Sequence, residues 1–212
     1  MKTKTILICG CKGKVGKAAA QLFSSRGWHV AGLDLAGENA DEHLDTYISC
    51  DIKKTEAVMK AVANLEDIHP LDVVFNAAGA ELRTGFEDTA ISHWEELLNT
   101  ILGGSANICK AAGPYMVKRN AGKLLLLSSD YSKMPGDQIL NAAAAGTLHG
   151  FAKSLGVELA PSNVLVNAVF AGVPFDLEGI AETVYFLADK DSYTAAQVVS
   201  ICGKNQVGGG SK

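Results

Sequence analysis

The chain has 212 residues, 48% of them hydrophobic and 20% charged, with a formal net charge of −4 at pH 7. That length suits one well-buried domain rather than two, and the composition is that of an ordinary soluble globular protein. Net negative charge and scattered Lys and Arg argue against nucleic acid, and no apolar run approaches the ~20 residues that cross a bilayer.

The N-terminal stretch MKTKTILICG has charge followed by a short apolar run. At about five residues, with a Gly-rich turn next, the run reads as a buried strand over 5–9 and not as a signal peptide. Gly10, Gly13 and Gly16 follow at a GxxGxxG spacing, with Lys12, Lys14 and Val15 between them, and a helix is predicted over 16–26. Such a turn permits a tight bend, lets the backbone approach a pyrophosphate, and presents the N–H groups and positive dipole of a helix start. A second apolar run, 29–33, ends at Asp34 and Leu35, eighteen residues after Gly16. A carboxylate there can hold both ribose hydroxyls of an adenosine. The alternative is a plain tight turn with an exposed Asp. Asp34 favours NAD(H), because its charge repels a 2′-phosphate, while Lys12 and Lys14 leave NADP(H) possible.

Further strands are predicted at 46–49, 73–76, 123–128, 164–169 and 198–201, and helices at 54–65, 91–118, 139–159 and 177–188. Strands that are apolar throughout and alternate with helices indicate an α/β fold. The expectation is a single doubly wound Rossmann domain over 1–212, with a mostly parallel sheet of about seven strands. Residues 205–212 read as a loose tail. The five cysteines (Cys9, Cys11, Cys50, Cys109, Cys202) are odd in number and lack a CxxC pair. Free thiols in a reducing cytoplasm, and no metal site, are expected.

Several stretches in order carry a resemblance: the glycine turn, Cys50-Asp51-Ile52, Asn76-Ala77-Ala78-Gly79, Ser128-Ser129, and VLVNAVFAG at 164–172. The chain resembles the short-chain dehydrogenase/reductase family almost end to end, and its opening GCKGKVG looks most like the dihydropteridine reductase branch. The resemblance implies that Gly10, Gly13 and Gly16 cradle a pyrophosphate and that Asp34 meets the adenine ribose, with Val15 and Leu35 beside them. It also implies that Asp51 and Ile52 meet the adenine, and that Asn76, Ala77, Ala78 and Gly79 line the floor beneath the cofactor.

The family's chemistry uses a Tyr as general acid or base, a Lys four residues later that lowers its pKa, a Ser, and an Asn in the preceding helix. An unassisted Tyr, with a pKa near 10, is a poor base at neutral pH. In register with GTLHGFAKSLGVELA, the Tyr position is Asn141 and the Lys position Ala145; HWEELLNTILGG puts Ile101 at the Asn position. Asn99 falls about 200° around a regular helix from Ile101 and does not substitute. Ser129 remains. Ala171 stands where the family has Pro, and Pro174, which has no N–H, stands where a backbone N–H holds the nicotinamide carboxamide. The family's substrate-covering lobe is reduced to a few residues before Ile180.

Tyr131 and Lys133 lie just after Ser129, and a relocated pair is conceivable because catalytic roles follow geometry. An exposed Tyr and a solvated Lys are the plainer reading. Asp130 and Asp137 are candidates for a carboxylate base, against the same plain reading of solvated side chains. His149, about 12 Å along the helix from Asn141, reads as packing or interface, His93 as surface, and Trp28 and Trp94 as core or helix-packing residues. Three functions therefore stand open: a dinucleotide binder with weak or no ordinary carbonyl reductase activity, a specialised reductase, lyase or isomerase with chemistry relocated around Ser129, Asn141, Tyr131 and Lys133, and a non-catalytic nucleotide-sensing or partner-binding subunit. The substrate, if any, is an unknown small molecule. Small residues along 103–106 and 142–146 suit close helix packing in a homodimer or homotetramer.

Overall fold

A computed structural model of the chain describes residues 3–35, 37, 41–131, 136–189 and 191–201. Seven parallel strands form one sheet in the order β3-β2-β1-β4-β5-β6-β7. They are β1 (Thr5–Cys9), β2 (His29–Asp34), β3 (Thr46–Ser49), β4 (Val73–Asn76), β5 (Gly122–Asp130), β6 (Val164–Gly172) and β7 (Gln197–Ile201). Helices α1 (Lys14–Ser25), α2 (Thr55–Ile68), α3 (Ile91–Leu98), α4 (Gly104–Lys118), α5 (Ile139–Leu159) and α6 (Leu177–Ala188) connect them.

Strand alternation sends side chains to both faces. Leu7, Leu124, Leu126 and Val166 pack under α2, α4 and α5, while Ile6, Ile8, Phe75 and Leu125 pack under α1 and α6. Trp28 joins the second core, edge-on to Phe23 at 5.0 Å, and Trp94 packs against a small cluster of Leu97, Leu140 and Ala144. The chain runs outward from β1 to β3, then returns to place β4 on the other side of β1. Connections leaving β1 and β4 thus diverge at the carboxyl ends of the strands, where open α/β sheets bind ligands.

The continuous helix expected over 91–118 is interrupted. Residues Asn99–Gly103 are π-helical and join α3 to α4. Apolar spacing does not reveal a local change to i→i+5 hydrogen bonding. Among the described residues, no helix is long and apolar enough to cross a membrane.

Candidate active site at the switch point

Gly10 has φ +76°, and a Cβ there would meet the Ala78 backbone N at 2.6 Å. A Cβ on Gly16 would lie 2.2 Å from the Gly10 carbonyl. The turns after β1 and β4 therefore touch through bare backbone, with no room for a side chain at either glycine. Gly13 caps α1 without a side-chain hydrogen bond, which leaves the first-turn N–H groups available to an anion.

Two cavities flank these turns. The larger, about 380 Å³, is lined by Gly10, Asp34, Leu35, Asp51 and Ile52, among others. The smaller, about 290 Å³, is lined by Lys14, Val15, Gly16, Ser129, Tyr131, Asn141 and Ala145, among others. Gly13, Ala77, Ala78, Gly79 and Ala80 border both.

Asp34 ends β2 with both carboxylate oxygens engaged: Oδ2 accepts the Lys12 N–H at 2.8 Å and Oδ1 the Leu35 N–H at 2.8 Å. Asp51 Oδ1 accepts the Lys53 N–H at 2.9 Å. Two residues from the sequence reading, Lys12 and Asn76, line neither cavity. Lys12 turns its ammonium over the Tyr47 ring, 4.5 Å from the centroid. Asn76 is buried, accepting the Ala78 N–H at 3.1 Å and donating to Ser105 Oγ at 2.9 Å, so it shapes the bend that exposes Ala77, Ala78 and Gly79.

Ser129, near the end of β5, and Tyr131, just beyond it, both line the smaller cavity; burial pushes the Tyr131 phenol up, against the opposing pull of the Ser129 side chain. A phenol raised above its ordinary value holds still less of the phenolate form at neutral pH. Lys133 lies outside the described residues. Asn141, on the first turns of α5, is 1% exposed. Its Oδ1 accepts the Leu82 N–H at 3.0 Å, and its Nδ2 donates to the Leu82 carbonyl at 2.8 Å and to Gln138 Oε1 at 2.7 Å. Both amide hydrogens are spent, and only this amide orientation matches donor to acceptor at all three contacts. Ala145 places a methyl one turn further along, and its carbonyl accepts Ser128 Oγ at 2.9 Å.

Ile101, on the π-helical segment, lines the smaller cavity, whereas Asn99 is exposed. Between β6 and α6 the chain crosses in residues 173–176, through a cis Val173–Pro174 bond, and Phe175 reaches the smaller cavity.

Some lining residues were absent from the sequence reading. Ala80 and Glu81 continue the wall past Gly79, while Glu96 and Thr100 face the larger cavity; the spacing of four between the latter two was the available signal. His93 is not simply on the surface: its Nδ1 is buried without a hydrogen-bond partner. His149 packs edge-on to Phe170 at 4.6 Å, and its Nε2 lies 3.0 Å from Ser128 Oγ. Cys9, Cys11, Cys50 and Cys109 are free and buried; burial pushes Cys11 up to about 11 and Cys109 up to about 12. Cys202 lies outside the described residues. No cluster of metal-ligating side chains occurs among the described residues.

A Gly-rich turn at the switch point of a doubly wound parallel sheet, with an acidic tip on the next strand, defines a Rossmann-type protein. The short chain dehydrogenase model matches residues 4–174, and the chain belongs to the short-chain dehydrogenase/reductase family of oxidoreductases. It is 28% identical over 174 residues to an NAD-dependent glycerol dehydrogenase of Listeria innocua serovar 6a, covering 78% of this chain and 68% of that protein. It is 28% identical over 239 residues to the 3-oxoacyl-acyl-carrier-protein reductase FabG of Chlamydia trachomatis serovar D, covering 94% and 96%. The fold matches the crystal structure of NAD+-bound xylitol dehydrogenase with a TM-score of 0.86 at 22% identity, over 94% of this chain and 98% of that one. ElxO with NADP bound matches with a TM-score of 0.86 at 23% identity, over 94% and 97%.

Proposed function

We propose that the chain binds a nicotinamide dinucleotide, NAD(H) in preference to NADP(H), and has little or no ordinary carbonyl reductase activity. The residues fit the adenosine and pyrophosphate half. Gly10, Gly13 and Gly16 leave bare backbone beside the first turn of α1. Asp34, Leu35, Asp51 and Ile52 line a cavity of about 380 Å³. Ala77, Ala78 and Gly79 supply the floor, and Asn76 holds its bend. The Asp34 charge disfavours a 2′-phosphate, and the Lys12 ammonium lies over Tyr47.

A nicotinamide group, when bound, supplies hydride chemistry; the protein must supply the proton and the orientation. The observation that carries the reading is the Asn141 amide, whose two hydrogens go to the Leu82 carbonyl and Gln138. Neither it nor the Ala145 methyl moves a proton at those positions. Pro174 offers no N–H at the place where the family holds the carboxamide. Loss of a general acid–base group costs about 10²–10⁴-fold in rate.

Thermal-shift titration with NAD, NADH, NADP and NADPH tests the binding. Stabilisation reaches about 2.7 kcal/mol at a hundredfold excess over Kd, and the NAD pair gives the larger shift. No shift with any of the four, or brisk NADH-dependent reduction of simple ketones, contradicts the proposal.

The Ser129 and Tyr131 side chains that line the smaller cavity favour one second reading: reduction of an activated, electron-poor acceptor that needs little acid help. Ser129→Ala then slows that reaction; equal rates remove the reading. In either case the exposed small residues of α5, Ala142, Ala143, Gly146 and Gly150, suit a homodimer or homotetramer contact.

A further inference from the structure

Ala77, Ala78, Gly79 and Ala80 form a wall common to both cavities, and Glu81 extends it along the smaller one. The very next residue is Leu82, whose N–H and carbonyl are both taken by the Asn141 side chain across 59 positions of sequence. Such two-sided pairing imitates one rung of a β-ladder, fixing the peptide in position and orientation together. The Leu82 side chain adds an apolar anchor against the cluster of Leu97, Leu140 and Ala144. Gln138, 6% exposed, holds the Asn141 amide from the other side at 2.7 Å.

From this geometry we infer that Asn141 is a positioning residue: by gripping the Leu82 peptide it sets the wall at the Ser129 end of the cleft and so governs retention of the nicotinamide half of a bound dinucleotide. The inference rests on the proposed dinucleotide binding. A connecting loop without such an anchor gains conformational freedom that a ligand must remove again on binding. Ala77 to Ala80 border both cavities, but Glu81, next to the gripped peptide, borders only the smaller one. Asp34 and Asp51 of the larger cavity belong to other connections, so the cost falls more on the smaller cavity.

The test compares NADH with ADP-ribose, which lacks the nicotinamide, by calorimetry on the whole chain. In Asn141→Leu, the ratio of the NADH to the ADP-ribose dissociation constant rises about tenfold over that of the unaltered protein, as expected for losing a pair of ordinary hydrogen bonds. Gln138→Leu leaves the Leu82 contacts in place and gives a smaller rise in the same direction. An unchanged ratio in Asn141→Leu overturns the inference. If Asn141→Leu does not fold, Gln138→Leu decides: a raised ratio supports the inference and an unchanged one overturns it. Failure of the unaltered protein to bind either ligand overturns the proposed dinucleotide binding itself, and the inference with it.

Discussion

The carboxylate of Asp34 accepts the backbone N–H of Lys12 at 2.8 Å, so the acidic tip of β2 is tied to the glycine turn that follows β1. One side chain thereby serves the turn's shape and the charge of the adenosine cavity. Asp34→Ala removes both. NADH binding weakens about 10–100-fold, the size of a hydrogen bond to a charged group, and NADPH binding weakens less because a repulsive charge has gone. Parallel calorimetric titrations with the two cofactors give that change in ratio.

The turn glycines separate packing from binding. At Gly10 a methyl would sit 2.6 Å from the Ala78 N on a backbone with φ +76°, so Gly10→Ala lowers the melting temperature and abolishes binding together. At Gly79 an added Cβ meets nothing within 4 Å, yet the residue borders both cavities. Gly79→Ala therefore melts close to the unaltered protein while binding dinucleotide more weakly.

Arg119 Nη1 pairs with Glu66 Oε2 at 2.7 Å, and the Glu66 side chain is 3% exposed. The same guanidinium also donates to the Leu71 carbonyl, joining the ends of α2 and α4 to the approach to β4. Arg119→Leu strands a buried carboxylate and costs about 3–5 kcal/mol. Urea unfolding measures the loss, and Arg119→Leu combined with Glu66→Leu recovers most of it.

His29 stacks on His69 with ring centroids 3.9 Å apart. Burial, then the neighbouring His69, pulls His29 below its ordinary value, against the opposing pull of Asp45. His149 is lowered by burial and by Lys153, against Asp130. The unfolded chain then binds more protons than the folded one between the lowered values and about 6.5, so stability rises with pH through that window. Melting temperature falls as pH drops below about 6.5, and His29→Gln makes that fall shallower.

The inner sheet was legible because strands such as β1 and β4 are buried throughout and read as apolar runs; the runs predicted at 5–9, 46–49 and 73–76 coincide with β1, β3 and β4. The glycine turn was legible because close backbone approach demands the residue type at Gly10 and Gly16. What escaped depends on side chains meeting from distant segments. Nothing local in the sequence joins Asn141 to Leu82, or Ser128 to His149, since such pairs form when α5 settles on the sheet. The π-helical segment escaped because the apolar spacing of Leu98, Ile101 and Leu102 fits an α-helix equally well. Asn76 and Lys12 were placed at the cofactor by motif position, and motif position does not reveal that the Asn76 side chain is tied to Ser105 and Ala78 or that the Lys12 ammonium lies over Tyr47.

The central claim, binding without ordinary turnover, is tested most directly by the fluorescence of NADH mixed with excess protein in the presence of a panel of simple ketones and aldehydes. The account predicts an enhanced signal on mixing that then stays constant. A signal that decays as carbonyl is added, or no enhancement at all, contradicts it.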